Sequence, residues 1–445
     1  MKNAIVAKFG GSSLADAHQF EKVKNIVESN LQRKYIVPSA PGKRHAKDYK
    51  ITDLLYLCST HVQQGISFDD VFKIISDRYK DIVMGLSKKY DYMINLDINK
   101  YLIKIKEDIE NGSSADYTAS RGEYLNGIIL ANLLNYSFID ASELIFFGKS
   151  GRLNTEDTQK HILEKLSTVK NAVIPGFYGS DYWGNIKTFS RGGSDITGAL
   201  IARGVDANLY ENWTDVSGFL MADPRIIKNP MPIEKITYRE LRELSYMGAT
   251  VLHEDSVFPV READIPISIK NTNSPNDPGT LIVGDTNPIY RDGTITGIAG
   301  KKDFTVIAIE KNLMNTELGF CRKLLSILES NNVVFESMPA GIDTVSLVIP
   351  DSQLDDKLEI IIDEINRQCK PDSIEVLPSM ALIATVGRGM SKSKGIAAKV
   401  FEALGKNNVN IRMINQGSSE INIIVGVENS DFEKAINSIY ATFVL

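Results

Sequence analysis

The sequence is poor in cysteine and has no cysteine-pairing motif. Its three cysteines, Cys58, Cys321 and Cys369, stand far apart, and none belongs to a Cys-x-x-Cys pair. A disulfide framework and a structural zinc site are therefore not expected. The chain also lacks a run of about 18 apolar residues, which a membrane-spanning helix needs, and its start has no signal-peptide pattern. We therefore expect a protein of the reducing cytoplasm without a membrane partner.

Neither sign of charge is in strong excess. The chain carries 50 Lys and Arg against 56 Asp and Glu, a net charge of −6, and the two signs are interspersed. Because no basic patch is present, the composition does not support binding to nucleic acid or to a membrane surface. The length of 445 residues exceeds that of one ordinary domain, so two or three domains are expected.

Over about the first 290 residues, short apolar segments alternate with helical patterns. Strands are predicted at 4–8, 35–38, 138–140, 172–175 and 207–211, and helices at 18–30, 51–64, 68–86, 95–110, 119–134 and 195–203. Strands separated by helices predict an α/β domain with a mostly parallel sheet. Such a sheet binds ligands at the carboxyl ends of its strands.

Beyond residue 302 one pattern of strand, helix, strand, strand and helix occurs twice. The first copy has strands at 305–310, 334–337 and 344–350, and the second at 381–387, 410–414 and 421–427. This repeat predicts two small α+β domains in tandem. The predicted domains are 1–292, 303–378 and 379–445. The second copy lacks a final strand, which indicates that the two small domains are intertwined.

A glycine-rich turn, Lys8-Phe9-Gly10-Gly11-Ser12-Ser13, follows the first strand directly. Glycines let the backbone approach an anion, so their amides can surround phosphate oxygens. A lysine at the end of the strand would add a point charge beside the phosphates. The alternative is a turn that merely leaves the strand.

A second glycine-rich stretch, Arg191-Gly192-Gly193-Ser194-Asp195, precedes a predicted helix. Ser194 or Asp195 can cap that helix, and its N-terminus can hold an anion. Arg191 can grip a carboxylate with two hydrogen bonds. The alternative is a capped helix after a loop, and a similar balance holds for the segments 213–218 and 222–225, where Asp and Gly also suit turns.

The stretch Ser120-Arg121-Gly122-Glu123 is predicted to open a helix. Glu123 in a first turn would interact favourably with the helix dipole, which is the simpler interpretation. Its carboxylate could also bind an ammonium group.

Taken in order, these stretches resemble the aspartate kinase family of the amino-acid kinase superfamily. The resemblance spans nearly the whole chain, and its pieces are KFGGSS (8–13), PSAPGK (38–43), ITDLL (51–55), SRGEYL (120–125), GFYGS (176–180), RGGSDITGALIA (191–202), WTDVSGFLMADPR (213–225), ELSYMGATVLH (243–253) and IKNTNSP (269–275). The stretch 395–427 resembles the second ACT regulatory domain of those enzymes.

The resemblance implies a fold and an activity. The fold is a three-layer α/β/α sandwich with a mostly parallel sheet, followed by two ferredoxin-like α+β ACT domains. The activity is phosphorylation of the L-aspartate side chain by ATP and Mg²⁺ to 4-phospho-L-aspartate, which opens lysine, threonine and methionine biosynthesis. No residue is singled out as a metal ligand.

The resemblance also implies roles for individual residues. The catalytic residues are Lys8 and Asp195. The groups expected to contact aspartate are Ser39, Thr52, Glu123, Arg191 and Ser194. The groups expected around ATP are Lys8, Gly10, Gly11, Ser12, Thr214, Asp215, Leu220 and Arg225.

An amino-acid effector and a homo-oligomer are implied in the same way. Lysine is the favoured inhibitor and threonine the second, in a pocket formed by Met314, Gly319, Phe320, Cys321, Val334, Phe335 and Glu336. Glu336 would suit an amine, although it could simply be a solvated residue. ACT domains are expected to join two subunits into a homodimer or a dimer of dimers.

Two other functions stay open. A related kinase could phosphorylate glutamate or N-acetylglutamate instead, although the ACT repeat and the combination of motifs around Glu123 and Arg191 favour aspartate. A non-catalytic amino-acid sensor could keep this fold without its chemistry, but the presence of Lys8 and Asp195 argues against that loss. Within 445 residues, no dinucleotide-binding domain of a bifunctional dehydrogenase is expected.

Overall fold

The structure, a computed structural model, describes residues 4–190, 192–249, 254–285 and 295–444. Contacts divide the chain into two units. The first comprises Met1–Phe219, Pro232–Tyr238 and Val251–Ile289, and the second comprises Leu220–Met231, Arg239–Thr250 and Tyr290–Leu445. The predicted domain limits remain a prediction. Within the part of the chain described, no helix is both long and apolar enough to cross a bilayer.

The strands up to residue 283 form one large sheet and two small ones. In chain order they are β1 (Ile5–Phe9), β2 (Arg33–Pro38), β3 (Ser137–Phe138), β4 (Ala172–Val173), β5 (Tyr178–Ser180), β6 (Ile186–Thr188), β7 (Leu209–Thr214), β8 (Phe219–Leu220), β9 (Pro232–Ile233), β10 (Lys235–Thr237), β11 (Ile267–Asn271) and β12 (Thr280–Val283). The large sheet has the order β10-β12-β11-β7-β1-β2-β4-β3, while β5 pairs with β6 and β8 with β9. All neighbours in the large sheet are parallel except β11 and β12. The prediction of a mostly parallel sheet is confirmed.

The same stretch contains the following helices, the eighth of which belongs mostly to the second unit. They are α1 (Ala17–Glu28), α2 (Ile51–Gln63), α3 (Asp69–Ser87), α4 (Ile98–Glu110), α5 (Ala115–Leu134), α6 (Thr155–Leu166), α7 (Gly193–Gly204), α8 (Tyr238–Tyr246) and α9 (Glu254–Glu262). Apolar side chains of α1 to α5 share one core with Ala7, Phe9 and Trp213. Helix α7 packs with α6, with α9 and with β1, β2 and β7. Successive strand residues point to opposite faces. The side chains of Lys8, Tyr210 and Asn212 therefore point to the face that α7 covers.

The second unit is built on a five-stranded antiparallel sheet. Its strands are β13 (Gly297–Glu310), β14 (Thr344–Pro350), β15 (Ser373–Val386), β16 (Met413–Asn415) and β17 (Asn422–Glu428), in the order β14-β13-β15-β17-β16. Its helices after residue 295 are α10 (Phe320–Ser330), α11 (Asp351–Leu354), α12 (Leu358–Cys369), α13 (Ile396–Lys406) and α14 (Phe432–Val444). The predicted α/β class, with a repeated α+β pattern in the C-terminal part, is confirmed.

The two repeats share their central strands. One half of β13, residues 304–310, pairs with β14, and one half of β15, residues 380–386, pairs with β17. The other half of each long strand completes the opposite repeat, because Gly297 pairs with Val386 and Glu310 pairs with Ser373. The predicted strand 334–337 is instead an irregular segment with a single bridge, from Ser337 to Val348, on the edge of β14 that β13 leaves free.

Candidate active site

Three adjacent parallel strands end together at one edge of the large sheet. In register, Lys8 on β1 lies between Val37 of β2 and Asn212 of β7. The glycine turn therefore begins where β2 and β7 also end, as the rule for parallel sheets predicts.

Lys8 is held in a buried polar cluster at this edge. Its Nζ atom lies 2.7 Å from Oδ1 of Asp195 and 3.3 Å from Oδ1 of Asn212. The amide nitrogen of Asn212 donates to the same Asp195 oxygen at 2.7 Å. The predicted partners Lys8 and Asp195 are thus in direct contact. Asn212, which we did not predict from the sequence, joins them.

The start of α7 differs from the prediction that Ser194 or Asp195 caps it. The residue preceding the helix is Gly192, which has φ of 58°, and Asp195 lies in the first turn. The left-handed conformation at Gly192 turns the chain into the helix without a side-chain cap. As a result the carboxylate of Asp195 remains available to Lys8.

The glycine turn packs closely on the segment that follows β2. A Cβ atom at Gly11 would lie 2.9 Å from the carbonyl oxygen of Ala40. The amide of Gly42 donates to the carbonyl of Gly11 at 2.8 Å, and the amide of Gly10 donates to the carbonyl of Trp213 at 2.9 Å. A side chain at Gly11 would separate these two segments. This contact, which the sequence pattern alone does not reveal, makes the glycine obligatory.

We predicted Glu123 in the first turn of a helix, but it lies in the middle of helix α5. Helix α5 begins at Ala115, because Ser114 caps it by accepting a hydrogen bond from the amide of Tyr117. Glu123 is only 5% exposed. A favourable dipole interaction in a first turn therefore does not account for this residue.

The Glu123 carboxyl group is buried with one oxygen unsatisfied. Burial raises its pKa to about 8, although the backbone amide of Ala40 donates to it and favours the ionised form. Among the described residues its Oε2 atom has no hydrogen-bond partner. Ala40 therefore touches the glycine turn through its carbonyl and Glu123 through its amide, so both features belong to one place. An unpaired buried carboxylate oxygen fits an incoming ammonium group.

The other residues expected near aspartate have different surroundings. Ser39 follows β2, and its carbonyl accepts from Nδ2 of Asn126 at 2.7 Å. Ser194 packs so closely on Gly176 that a Cβ atom there would lie 2.6 Å from its Oγ. Thr52 lies half-buried in the first turn of α2. Arg191 lies outside the described residues.

Arg121, two residues before Glu123, is surrounded by three tyrosine rings, an arrangement that we did not predict. The guanidinium of Arg121 lies 4.4 Å from the ring centroids of both Tyr117 and Tyr124, and 5.4 Å from that of Tyr178. Such contacts stabilise a cation away from water. The positive charge of Arg121 favours the ionised form of Glu123 and so partly opposes the rise in its pKa.

The residues expected around ATP are divided between the units. Gly10, Gly11, Ser12, Thr214 and Asp215 belong to the first, in which Thr214 ends β7 and Asp215 is exposed. Leu220 and Arg225 belong to the second, in which Arg225 is exposed and pairs with Asp223 at 2.6 Å.

The residues expected in the effector pocket lie in the first repeat of the second unit. Met314 and Phe320 are buried in its core, and Gly319 precedes α10 with φ of 82°, a conformation that favours glycine. Cys321 and Phe335 are half-buried, whereas Val334 is 67% exposed.

Glu336 already has a partner in this unit. The hydroxyl of Tyr246, at the end of α8, donates to Oε2 of Glu336 at 3.1 Å. The Nζ atom of Lys301 lies 5.0 Å from the centroid of the Tyr246 ring. Burial raises the pKa of Glu336, while Tyr246 and Lys301 oppose that rise.

One feature of the sequence could have indicated a role for Asn212. It lies with Glu211 in a strand whose other residues predict burial, and polar residues inside a central strand need partners. Glu211, on the opposite face, finds its partner in Arg33 at 2.7 Å. That pair is structural, whereas Asn212 points to the site.

Known proteins match the chain over its full length. The amino acid kinase family matches residues 3–271, and an ACT domain family matches residues 383–443. Aspartokinase 3 of Bacillus subtilis (strain 168) is 36% identical over 447 residues, which cover 98% of each chain. The crystal structure of Clostridium acetobutylicum aspartate kinase is 65% identical, covers 99% of this chain and 100% of that one, and has a TM-score of 0.92.

Two crystal structures of E. coli aspartokinase III are also similar, each at 25% identity. One, in complex with aspartate and ADP (R-state), has a TM-score of 0.71 and covers 99% of both chains. The other, in complex with lysine and aspartate (T-state), has a TM-score of 0.76 and covers 100% of both chains.

The sheet, the glycine turn and the match over more than half of the residues place the chain in the amino acid kinase family. Within that family it belongs to the aspartokinases, and its activity is that of an aspartate kinase.

Proposed function

We propose that the enzyme transfers the γ-phosphoryl group of ATP to the side-chain carboxylate of L-aspartate, forming 4-phospho-L-aspartate. The observation that carries this proposal is the unpaired buried oxygen of Glu123, which Ala40 joins to the glycine turn. An amino group held there would bring its amino acid beside the proposed phosphate site.

Aspartate is proposed to bind by its two ends. Glu123 takes the ammonium group, and Arg191, by its match to the family motif, takes a carboxylate. Ser39, Thr52 and Ser194 are proposed to complete the pocket.

The reaction needs no general base. The attacking carboxylate has a reference pKa of about 3.9, so it is ionised at neutral pH. The residues of the enzyme therefore align the reactants and neutralise charge on the equatorial phosphoryl oxygens. Lys8 is proposed to contact the transferred group, with Asp195 holding the ammonium and the turn from Gly10 to Ser12 supplying backbone amides.

The nucleotide half rests on family motifs. Thr214, Asp215, Leu220 and Arg225 are proposed to contact ATP, in line with the ADP bound to the E. coli enzyme. Among the described residues no group of three or more His, Cys, Asp or Glu side chains could hold a metal. We therefore propose that Mg²⁺ is held by phosphate oxygens and water, where it neutralises negative charge.

A hydroxylamine trap tests the reaction directly. An acyl phosphate reacts with hydroxylamine to give a hydroxamate, so enzyme, MgATP and aspartate should yield that product. Glutamate in place of aspartate should yield far less. A signal with glutamate alone would favour the related kinase, and silence from folded protein with both acids would favour the sensor.

Lysine is the proposed inhibitor, with threonine second. The support is a half-buried carboxylate, Glu336, in the repeat where Met314, Gly319, Phe320, Cys321, Val334 and Phe335 also lie, together with the lysine bound to the T-state E. coli enzyme. A lysine ammonium would replace the Tyr246 hydroxyl on Glu336, because a charged donor forms the stronger hydrogen bond.

Binding of the inhibitor is proposed to affect helix α8, which carries Tyr246. One face of α8 is anchored to the double sheet, since Glu240 accepts from Oγ1 of Thr296 at 2.6 Å and Glu243 accepts from Asn422 at 2.5 Å. Tyr246 completes the same face at the position of Glu336. Freeing Tyr246 would remove one of the contacts that hold α8 within the second unit.

A homodimer or a dimer of dimers through the ACT repeats is proposed from the same unit. Apolar side chains that are exposed there include Leu313, Leu318 and Ile342. Sedimentation measurements with and without lysine would establish the number of subunits. A cytoplasmic location and a place at the start of lysine, threonine and methionine biosynthesis complete the proposal.

A further inference from the structure

Asn212 occupies a position that none of the family motifs described above assigns to catalysis. It lies on β7, directly beside Lys8 in the parallel register, and is 3% exposed. Its amide makes two different hydrogen bonds, one to each member of the Lys8–Asp195 pair. Residues 204 positions apart are thereby joined in one closed triangle.

The orientation of this amide is determined by charge. Its oxygen faces the ammonium of Lys8, and its nitrogen faces the carboxylate of Asp195. The reverse orientation would set N–H groups against an ammonium and an oxygen against a carboxylate. No ionised or apolar side chain of this size could meet both demands, since they require a donor and an acceptor at once, and the amide offers both.

An ammonium group has three N–H donors. Two of those of Lys8 point to Oδ1 of Asp195 and Oδ1 of Asn212, so the direction of the third is determined. With Asp195 as its sole partner, the ammonium could rotate about the line that joins the two atoms. A second acceptor removes this freedom, which is the kind of preorganisation that lowers a transition-state barrier.

We propose that Asn212 is a positioning residue, which aims the third N–H of Lys8 at the transferred phosphoryl group and keeps Asp195 on the other two. The proposal rests on the proposed role of Lys8. Among the described residues, the side chain of Asn212 bonds to Lys8 and Asp195 and to none of Ser39, Thr52, Glu123 and Ser194. Its effect is therefore expected in kcat and not in the apparent KM for aspartate.

Two variants separate positioning from mere support. Asn212→Ala should lower kcat roughly ten- to a hundredfold while leaving the KM for aspartate nearly unchanged. Asn212→Asp has the same shape and should depend on pH. Two carboxyl groups so close share a proton at low pH, and the protonated form again offers a donor and an acceptor. Its kcat relative to the unsubstituted enzyme should therefore rise as pH falls from about 8.5 to about 6.

Tyr210→Phe is the matched control. Tyr210 lies two residues earlier on the same face of β7, and its hydroxyl donates to the main-chain carbonyl of Asp195 at 3.1 Å. This variant removes a hydrogen bond to the same helical turn without touching the triangle. Its pH profile should run parallel to that of the unsubstituted enzyme, with thermal unfolding recorded for all variants.

An Asn212→Asp profile parallel to that of the unsubstituted enzyme, or an Asn212→Ala kcat within about twofold of it, would overturn the proposal. Should Asn212→Ala fail to fold, the isosteric Asp variant still decides. Measurement of Lys8→Ala under the same conditions distinguishes a failure of the proposed role of Lys8 from a failure of the proposed role of Asn212. If that variant kept its activity, the role of Lys8 would be wrong; if it were inactive while Asn212→Asp stayed parallel, only the Asn212 inference would fail.

Discussion

Glu123 in the first unit and Glu336 in the second are both proposed to receive an ammonium group, yet their surroundings differ. Glu123 is fully enclosed, and its Oε2 atom has no partner among the described residues. Glu336 is half-buried, and the Tyr246 hydroxyl already donates to it. One carboxylate has an oxygen atom without a donor, and the other has a neutral donor that can be exchanged.

The difference matches what the proposed catalytic pocket and the proposed regulatory pocket would each have to do. A catalytic pocket gains from a group whose desolvation cost is relieved only by the substrate. A regulatory pocket must exist in two arrangements, and an effector shifts the balance only by binding one of them better. A carboxylate with an exchangeable partner provides those two arrangements.

The largest expected effect tests whether the first unit is catalytic. Lys8→Ala should lower kcat roughly a thousandfold, because it removes the charge nearest the proposed phosphate site. The measurement is aspartate-dependent ATP consumption by protein whose unfolding temperature has been checked. Lys34→Ala, on the neighbouring strand β2, is the control and should keep its activity. Near-normal turnover by Lys8→Ala would remove this lysine from the mechanism.

The next effect concerns Glu123 and pH. Glu123→Gln should lower kcat/KM for aspartate roughly a hundredfold at pH 8, because it removes the buried charge that meets the ammonium. Since the pKa of Glu123 is about 8, kcat/KM of the unsubstituted enzyme should rise with pH, about tenfold per unit, and level off above pH 8. A variant that kept this slope would show that another group titrates. Glu107→Gln, exposed on α4, is the control.

The same carboxyl group should affect stability in the opposite direction. Its pKa is raised from 4.5 to about 8 on folding, so the folded state binds the proton more tightly than the unfolded chain. The free energy of unfolding should therefore fall as pH rises through that window. Denaturant titrations of Glu123→Gln should lack this part of the decline, and an identical decline would contradict the raised pKa.

A smaller effect, on inhibition by lysine, is expected from substitution of Glu336. Glu336→Gln keeps an acceptor for Tyr246 but removes the charge, so the lysine concentration for half-inhibition should rise roughly tenfold. Activity without lysine should change little. Glu329→Gln on α10 is the control. Equal inhibition of both variants by lysine would separate Glu336 from the pocket, and inhibition by threonine alone would identify the second candidate.

The smallest effect is expected from removing the hydroxyl group of Tyr246, the present partner of Glu336. Tyr246→Phe removes the hydroxyl that lysine is proposed to displace, so half-inhibition should occur at a lysine concentration roughly threefold lower. A higher concentration would mean that Tyr246 helps to bind the inhibitor. Inhibition curves at several pH values suffice for the measurement.

Much of the first unit could be predicted because it depends on local patterns. Alternating apolar segments indicate a parallel sheet, and a glycine turn after β1 indicates a phosphate-binding edge. Helix starts were less predictable. The residues Ser114 and Gly192 begin α5 and α7 earlier than expected, because a cap depends on backbone conformation as well as on residue type.

Residue order and spacing are enough to predict the class of fold, the repeat and the motifs that contain Lys8, Glu123 and Asp195. Two contacts are visible only in the folded chain: Asn212 bonds to both Lys8 and Asp195, and the Tyr246 hydroxyl donates to Glu336. Those contacts join residues 204 and 90 positions apart. They depend on strand register and helix placement, which the packing of the whole chain determines and no local pattern records.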